Sequence, residues 1–225
     1  MDALADLLAF LAGLPALAGL LLAAITIFLT SDWRLALTGL LVQYLLLGAA
    51  LTRFIQPEVA LAKILAGVLA VSILYLTARH IQELKGQPEI ERMGRRILGL
   101  RIGWGAGPLG LPLRLLVVLL VALAVMRLFD LYHSPLVPAD IVFAALWLGG
   151  MGVAGLVLGE EPLRVAPAVL TFLTGFDLVY TGLEPSLAVT GFLGALILLA
   201  ALAFSYLATV HSLGARPLDE EEAES

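Results

Sequence analysis

The chain has 225 residues, of which 61% are hydrophobic and 14% charged, with a formal net charge of −5 and no cysteine. Ordinary soluble domains carry roughly 45–50% apolar and about 25% charged residues, so successive apolar runs of about 20 residues read as an all-α integral membrane protein. The missing cysteine excludes disulfides, thiolate nucleophiles and iron–sulfur ligation, and with five acids held in one terminal run the remaining charge is balanced, leaving no basic patch for nucleic acid.

About seven spans are expected. The first runs from about Leu7 to Thr30, with Gly13 and Pro15 as bending points. Met1-Asp2-Ala3 lacks a positive segment and Arg34 is the first basic residue, so this run reads as a retained helix rather than a cleaved signal. Trp33 and Arg34 are of the types that sit at headgroup level. The second span covers about Leu35 to Ile55, and Gln56-Pro57-Glu58 turns the chain, since proline suits a first helical position. The third, about Val59 to Ala78, carries Lys63.

Residues 79–110 form a basic connection. Within it Ile90, Met93, Ile97 and Leu100 recur at helical spacing opposite Glu91, Arg92, Arg95 and Arg96, the pattern of a helix lying on the membrane surface with Trp104 as an anchor. Gly103-Trp104-Gly105-Ala106-Gly107-Pro108 has no flanking strand and reads as a flexible loop, not a phosphate cradle. The fourth span, about Leu111 to Leu131, ends with Arg127 and Asp130 one turn apart, which are expected to pair. The fifth, about Pro138 to Leu158, holds Gly149, Gly150, Gly152 and Gly155, small residues that allow close helix packing. Glu160-Glu161-Pro162 breaks the chain before the sixth span, about Leu163 to Leu183, and Glu184-Pro185 joins it to the seventh, about Ser186 to Thr209. His80, His133 and His211 fall at helix ends without metal-ligand spacing and read as interfacial. Asp219, Glu220, Glu221, Glu222 and Glu224 form an acidic tail expected to be disordered.

The excess of Arg and Lys in the long connection, with Arg34, Arg164 and Arg216 on the same side, predicts that side to be cytoplasmic, with the N-terminus outside and the C-terminus inside. An internal repeat is also suggested. Leu37-Thr38-Gly39 with Tyr44 matches Leu173-Thr174-Gly175 with Tyr180, each copy is followed by a proline turn (Pro57 or Pro185), and each ends near a histidine. The expected division is a three-helix unit at 1–78, the connection at 79–110, a linker helix at 111–137, a second unit of the same orientation at 138–211 and the tail at 212–225.

A three-helix unit with a polar residue in its second span and a tight turn into the third resembles the K subunit of respiratory complex I and the C subunit of multi-subunit cation/proton antiporters. Doubled, it is similar to the E-type membrane subunit of formate-hydrogenlyase-like hydrogenases. Gln43-Tyr44-Leu45-Leu46-Leu47, Lys63 and Leu74-Tyr75-Leu76-Thr77-Ala78-Arg79-His80-Ile81 carry the likeness. The resemblance implies partner membrane subunits, the lipid bilayer of a prokaryotic cytoplasmic membrane, and proton translocation. It also implies acids in the second and third helices of each unit. Here the second-helix position is held by Gln43 or its neighbour Leu41 in the first unit and by Asp177 in the second, and the third-helix acid is absent from both, with Lys63 and Thr190 nearest.

The candidate polar positions are therefore Asp177, Lys63, Gln43, Thr174, Tyr180 and Thr190. An acid inside a span is rare and faces protein, water or a counter-charge. Asp177 reads as a station of a proton path or as a buried acid hydrogen-bonded to Thr174, Thr181 or Tyr180. Lys63 reads as its partner at a shared depth or as a side chain snorkelling to the interface, and Gln43 as an interhelical hydrogen bond or a path residue. No catalytic group, metal or cofactor is expected. Three functions fit: an accessory subunit of a complex I-like, hydrogenase-like or antiporter-like assembly, a stand-alone small transporter, or a structural membrane protein whose polar groups hold helices together.

Overall fold

Proline and aspartate set where several helices begin in the computed structural model, which describes residues 13–30, 32–53, 55–84, 110–131, 137–159, 161–183 and 186–214. Seven helices follow in order: α1 (Leu14–Leu29), α2 (Trp33–Leu51), α3 (Pro57–Leu84), α4 (Leu111–Leu131), α5 (Ala139–Leu158), α6 (Pro162–Leu183) and α7 (Leu187–Gly214). Pro57 and Pro162 occupy first positions, where a missing N–H is harmless. The Asp32 carboxylate caps α2 by accepting the Arg34 backbone N–H at 2.9 Å, satisfying an otherwise orphan donor. Six helices are long and apolar enough to cross a membrane. As described, α1 has 16 residues, apolar but shorter.

Several boundaries differ from expectation. Gly13 is the N-cap of α1 and Pro15 lies in its first turn, while the part of the expected first span before Gly13 lies outside the described residues. α3 runs past Ala78 to Leu84, because Arg79 and Glu83 form an i,i+4 ion pair at 2.9 Å that supports another turn. α7 likewise reaches Gly214. Arg127 and Asp130, expected to pair, form no ion pair with each other among the described residues. Both are exposed at the end of α4, where little holds two long side chains in one geometry. The surface helix around Ile90–Leu100, Trp104, the glycine-rich loop, His133, Glu184-Pro185 and the acidic tail lie outside the described residues.

The helices pack as two facing rows. α1, α2 and α3 contact one another in sequence, as do α5, α6 and α7, and α1 meets α5, α2 meets α6 and α3 meets α7. α4 lies outside against α5 and α1, and Val125 is its one buried residue. Without a hydrophobic force between helices in lipid, close packing and buried polar contacts hold such an array. Gly152 shows how close: a Cβ there would stand 2.7 Å from the backbone of Phe172 on α6. The expected role of this glycine as a packing residue is met, whereas Gly149 has open space beside it.

Chain direction alternates between helices, placing Arg34, Arg79, Arg114 and Arg164 toward one end of the bundle. At the other end Arg53 pairs with Asp140 at 3.0 Å. At the first end Arg114 of α4 donates to the carbonyl oxygens of Leu29 and Thr30 at 3.0 and 3.4 Å, closing the last turn of α1.

Candidate functional site

Most hydroxyls of this bundle are satisfied within their own helix. Thr26, Thr38, Ser72, Thr77 and Thr209 each donate to the carbonyl four residues back, which makes a hydroxyl tolerable against lipid. Thr171 and Thr181 of α6 depart from this rule, donating to side chains. Thr171, Thr174, Asp177 and Thr181, spaced by three, three and four, form one buried stripe facing α2 and α3. From Thr171 to Thr181 the stripe rises about 15 Å, half the hydrocarbon thickness of a bilayer.

At the centre of the stripe Lys63 Nζ forms an ion pair with Asp177 Oδ1. Lys63 is 5% and Asp177 1% exposed, so the lysine does not snorkel. Lys63 also donates to Thr181 Oγ1 at 2.9 Å, and Thr181 Oγ1 donates to Asp177 Oδ1 at 3.3 Å. The lysine and the threonine hydroxyl thus both donate to the same carboxylate oxygen. Asp177 Oδ2 is buried and has no hydrogen-bond partner. Each residue lies six from one end of its helix, Lys63 from Pro57 and Asp177 from Leu183, which is about 9 Å of rise and explains their common depth.

Towards the basic end the stripe meets α2. Thr171 Oγ1 donates to Gln43 Oε1 at a long 3.4 Å, while Gln43 Nε2 is buried without a partner. Tyr44 lies beside Thr174 and within electrostatic reach of Asp177, yet its hydroxyl has no partner in hydrogen-bond geometry. Thr174 donates to the Leu170 carbonyl at 2.7 Å. Gly67 on α3 makes room for the tyrosine, since a Cβ there would stand 2.2 Å from Tyr44 Cγ. Trp147 Nε1 on α5 is a further buried donor without a partner. Buried polar atoms are paired in the great majority of proteins, so such a group needs a reason.

Four of the six expected residues, Asp177, Lys63, Gln43 and Thr174, therefore share the α2–α3–α6 interface. Tyr180 does not. It is half-buried and stacks on Phe176 with ring centroids 5.7 Å apart. Thr190 is buried on α7, and no hydrogen bond joins its side chain to the cluster among the described residues. Thr171 and Tyr44 emerge as members that sequence reasoning did not place there. Thr171 was detectable through the helical spacing of the stripe.

The sequence match between Leu37-Thr38-Gly39 and Leu173-Thr174-Gly175 is not a match of faces. Thr38 is exposed where Thr174 is buried, and Tyr44 is buried where Tyr180 is half-exposed. The inward faces coincide two residues out of that register: Leu37, Leu40, Gln43 and Leu47 are buried like Thr171, Thr174, Asp177 and Thr181. That register pairs Gln43 with Asp177.

A cavity of about 60 Å³ opens at the basic end, with Asp32, Arg114 and Arg164 among its walls and Pro167, Ala168 and Thr171 deeper. No protein-family model matches the chain, and neither a curated protein nor a solved structure matches it.

Proposed function

We propose that this chain is an accessory membrane subunit of a complex I-like, hydrogenase-like or antiporter-like ion-translocating assembly, in which the Lys63–Asp177 pair is a proton-transfer station. The observation that carries the reading is a buried lysine–carboxylate pair whose second oxygen, Oδ2, is bare. Desolvating two charges offsets much of their attraction, so such a pair is a poor way merely to stabilise a bundle. Ionisable residues at this depth mark ion pathways by default.

The chemistry balances as follows. A proton arriving at Oδ2 neutralises the carboxylate, and the Lys63 ammonium, left without its counter-ion in an apolar setting, gives up a proton on the Thr181 side. Transfer of the Asp177 proton to the neutral amine then restores the pair, and one proton has crossed the station. The helix pairings α1–α5, α2–α6 and α3–α7, with the Gln43–Asp177 register, support a parallel repeat of two three-helix units in which only the second kept an acid. The basic end is the cytoplasmic one by the positive-inside bias, in a prokaryotic cytoplasmic membrane. Redox cofactors, if the assembly uses them, reside on partner subunits.

One observation favours a second reading. Thr181 satisfies both members of the pair, as a purely structural cross-link between α3 and α6 would require. Asp177→Asn separates the two. The station predicts an intact assembly whose proton movement across sealed membranes falls about 100-fold, the scale of losing one positioned proton-transfer group. Unchanged proton movement in an intact assembly would exclude it, and dissociation of the assembly would establish the cross-link.

A further inference from the structure

The geometry points to the cavity at the basic end as a water-filled access route that supplies Asp177 from that side alone. The inference rests on the preceding reading for what is carried, but not for how the cavity is filled. With about 60 Å³ the cavity holds several waters, each needing about 10–15 Å³. Its walls are largely apolar, and Asp32, Arg114 and Arg164 place charge at the basic end of them. Pro167 within α6 has no N–H, so the carbonyl of Leu163, itself a wall residue, lacks its usual i+4 donor.

Thr171 belongs to both the cavity wall and the buried stripe. From Thr171 to Asp177 the helix rises about 9 Å, or about three hydrogen-bond steps. Three unpartnered atoms lie along that interval: Gln43 Nε2 as a donor, the Tyr44 hydroxyl as donor or acceptor, and Asp177 Oδ2 as acceptor. Donors and an acceptor left open in one interface are the complement of a short chain of waters. Beyond the ion pair the stripe ends at Thr181, where Val137 packs on Gly182 and Ile55 and Val59 are buried. Among the described residues these side chains are apolar, and no cavity like the one at the basic end has been described there.

The chain contains no cysteine, so each introduced thiol is the only one. Ala168→Cys on the cavity wall is compared with Val153→Cys, which is 48% exposed on α5 at a similar distance from the basic end. Both are carried by the full chain in membranes and treated with a charged, membrane-impermeant methanethiosulfonate from each side. Thiolates form in water and not in lipid, so Ala168→Cys should react at least about tenfold faster than Val153→Cys, and only from the basic face. Ala36→Cys, on the α2 wall, repeats the test should Ala168→Cys disturb folding. Modification should also lower proton movement several-fold. Equal rates at the wall and lipid positions, reaction from the opposite face, or full modification without effect on proton movement would each overturn the route. The labelling does not depend on Asp177, so its failure is distinguishable from failure of the Asp177→Asn test.

Discussion

Lys63 and Asp177 show how much a single ion pair depends on its surroundings. Arg53 and Asp140 form a pair of similar chemistry, but their side chains are 36% and 34% exposed and solvent screens them. The inner pair has no such screen. Removing one member leaves the other uncompensated, which costs about 3–5 kcal/mol in buried pairs, whereas replacing both with apolar residues is often neutral. Lys63→Met is therefore expected to lower stability in detergent by that amount, and Lys63→Met with Asp177→Leu to recover most of it. Unfolding measurements on both variants check this, and a double variant as unstable as the single would show that the loss came from packing. Tyr44 is the other residue whose position depends on context, because its ring occupies the space where Gly67 has no side chain.

At the scale of elements, α6 is the helix on which the site is built. One face carries the polar stripe, and Phe172 meets Gly152 of α5 at backbone distance. Gly152→Leu must push the two helices apart, and overpacking of this kind costs about 1–3 kcal/mol. Because α6 would move with its stripe, the variant should lose proton movement as well as stability, while α4, of which Val125 alone is fully buried, should tolerate similar changes on its lipid face. Thermal unfolding of Gly152→Leu beside Val153→Leu, one residue on and lipid-facing, tests this. Pro167 lies in the cavity wall early in α6, one turn before Thr171, the first residue of the stripe.

For the whole molecule the decisive feature is that residues distant in sequence, 63 and 177, meet because two rows of helices face each other and long side chains of α3 and α6 reach across the diagonal between them. Arg34, Arg114 and Arg164 mark one end of the bundle, the end proposed to be cytoplasmic from the positive-inside bias. A reporter fused after Gly214, where α7 ends on that side, should be active in its cytoplasmic form and silent in its exported form. The opposite result would invert the direction assigned to the access route.

Hydropathy and helix signals were legible in the linear chain because they depend on local properties. Apolar runs set six of the spans, Pro57 and Pro162 set helix starts, and an acid within a run marked Asp177 as unusual. The partner of that acid was open. Lys63 is within snorkelling reach of an interface, and only the seating of α3 beside α6 decided that its stem turns inward. The face presented by each helix was equally undetermined, since Tyr44 and Tyr180 look alike in sequence and differ in burial. An apolar alphabet makes every face of a membrane helix suitable for lipid or for a neighbour, so the period that betrays a buried face in a soluble helix is weak here. Packing chose among those faces, and so determined which polar groups Asp177 would meet.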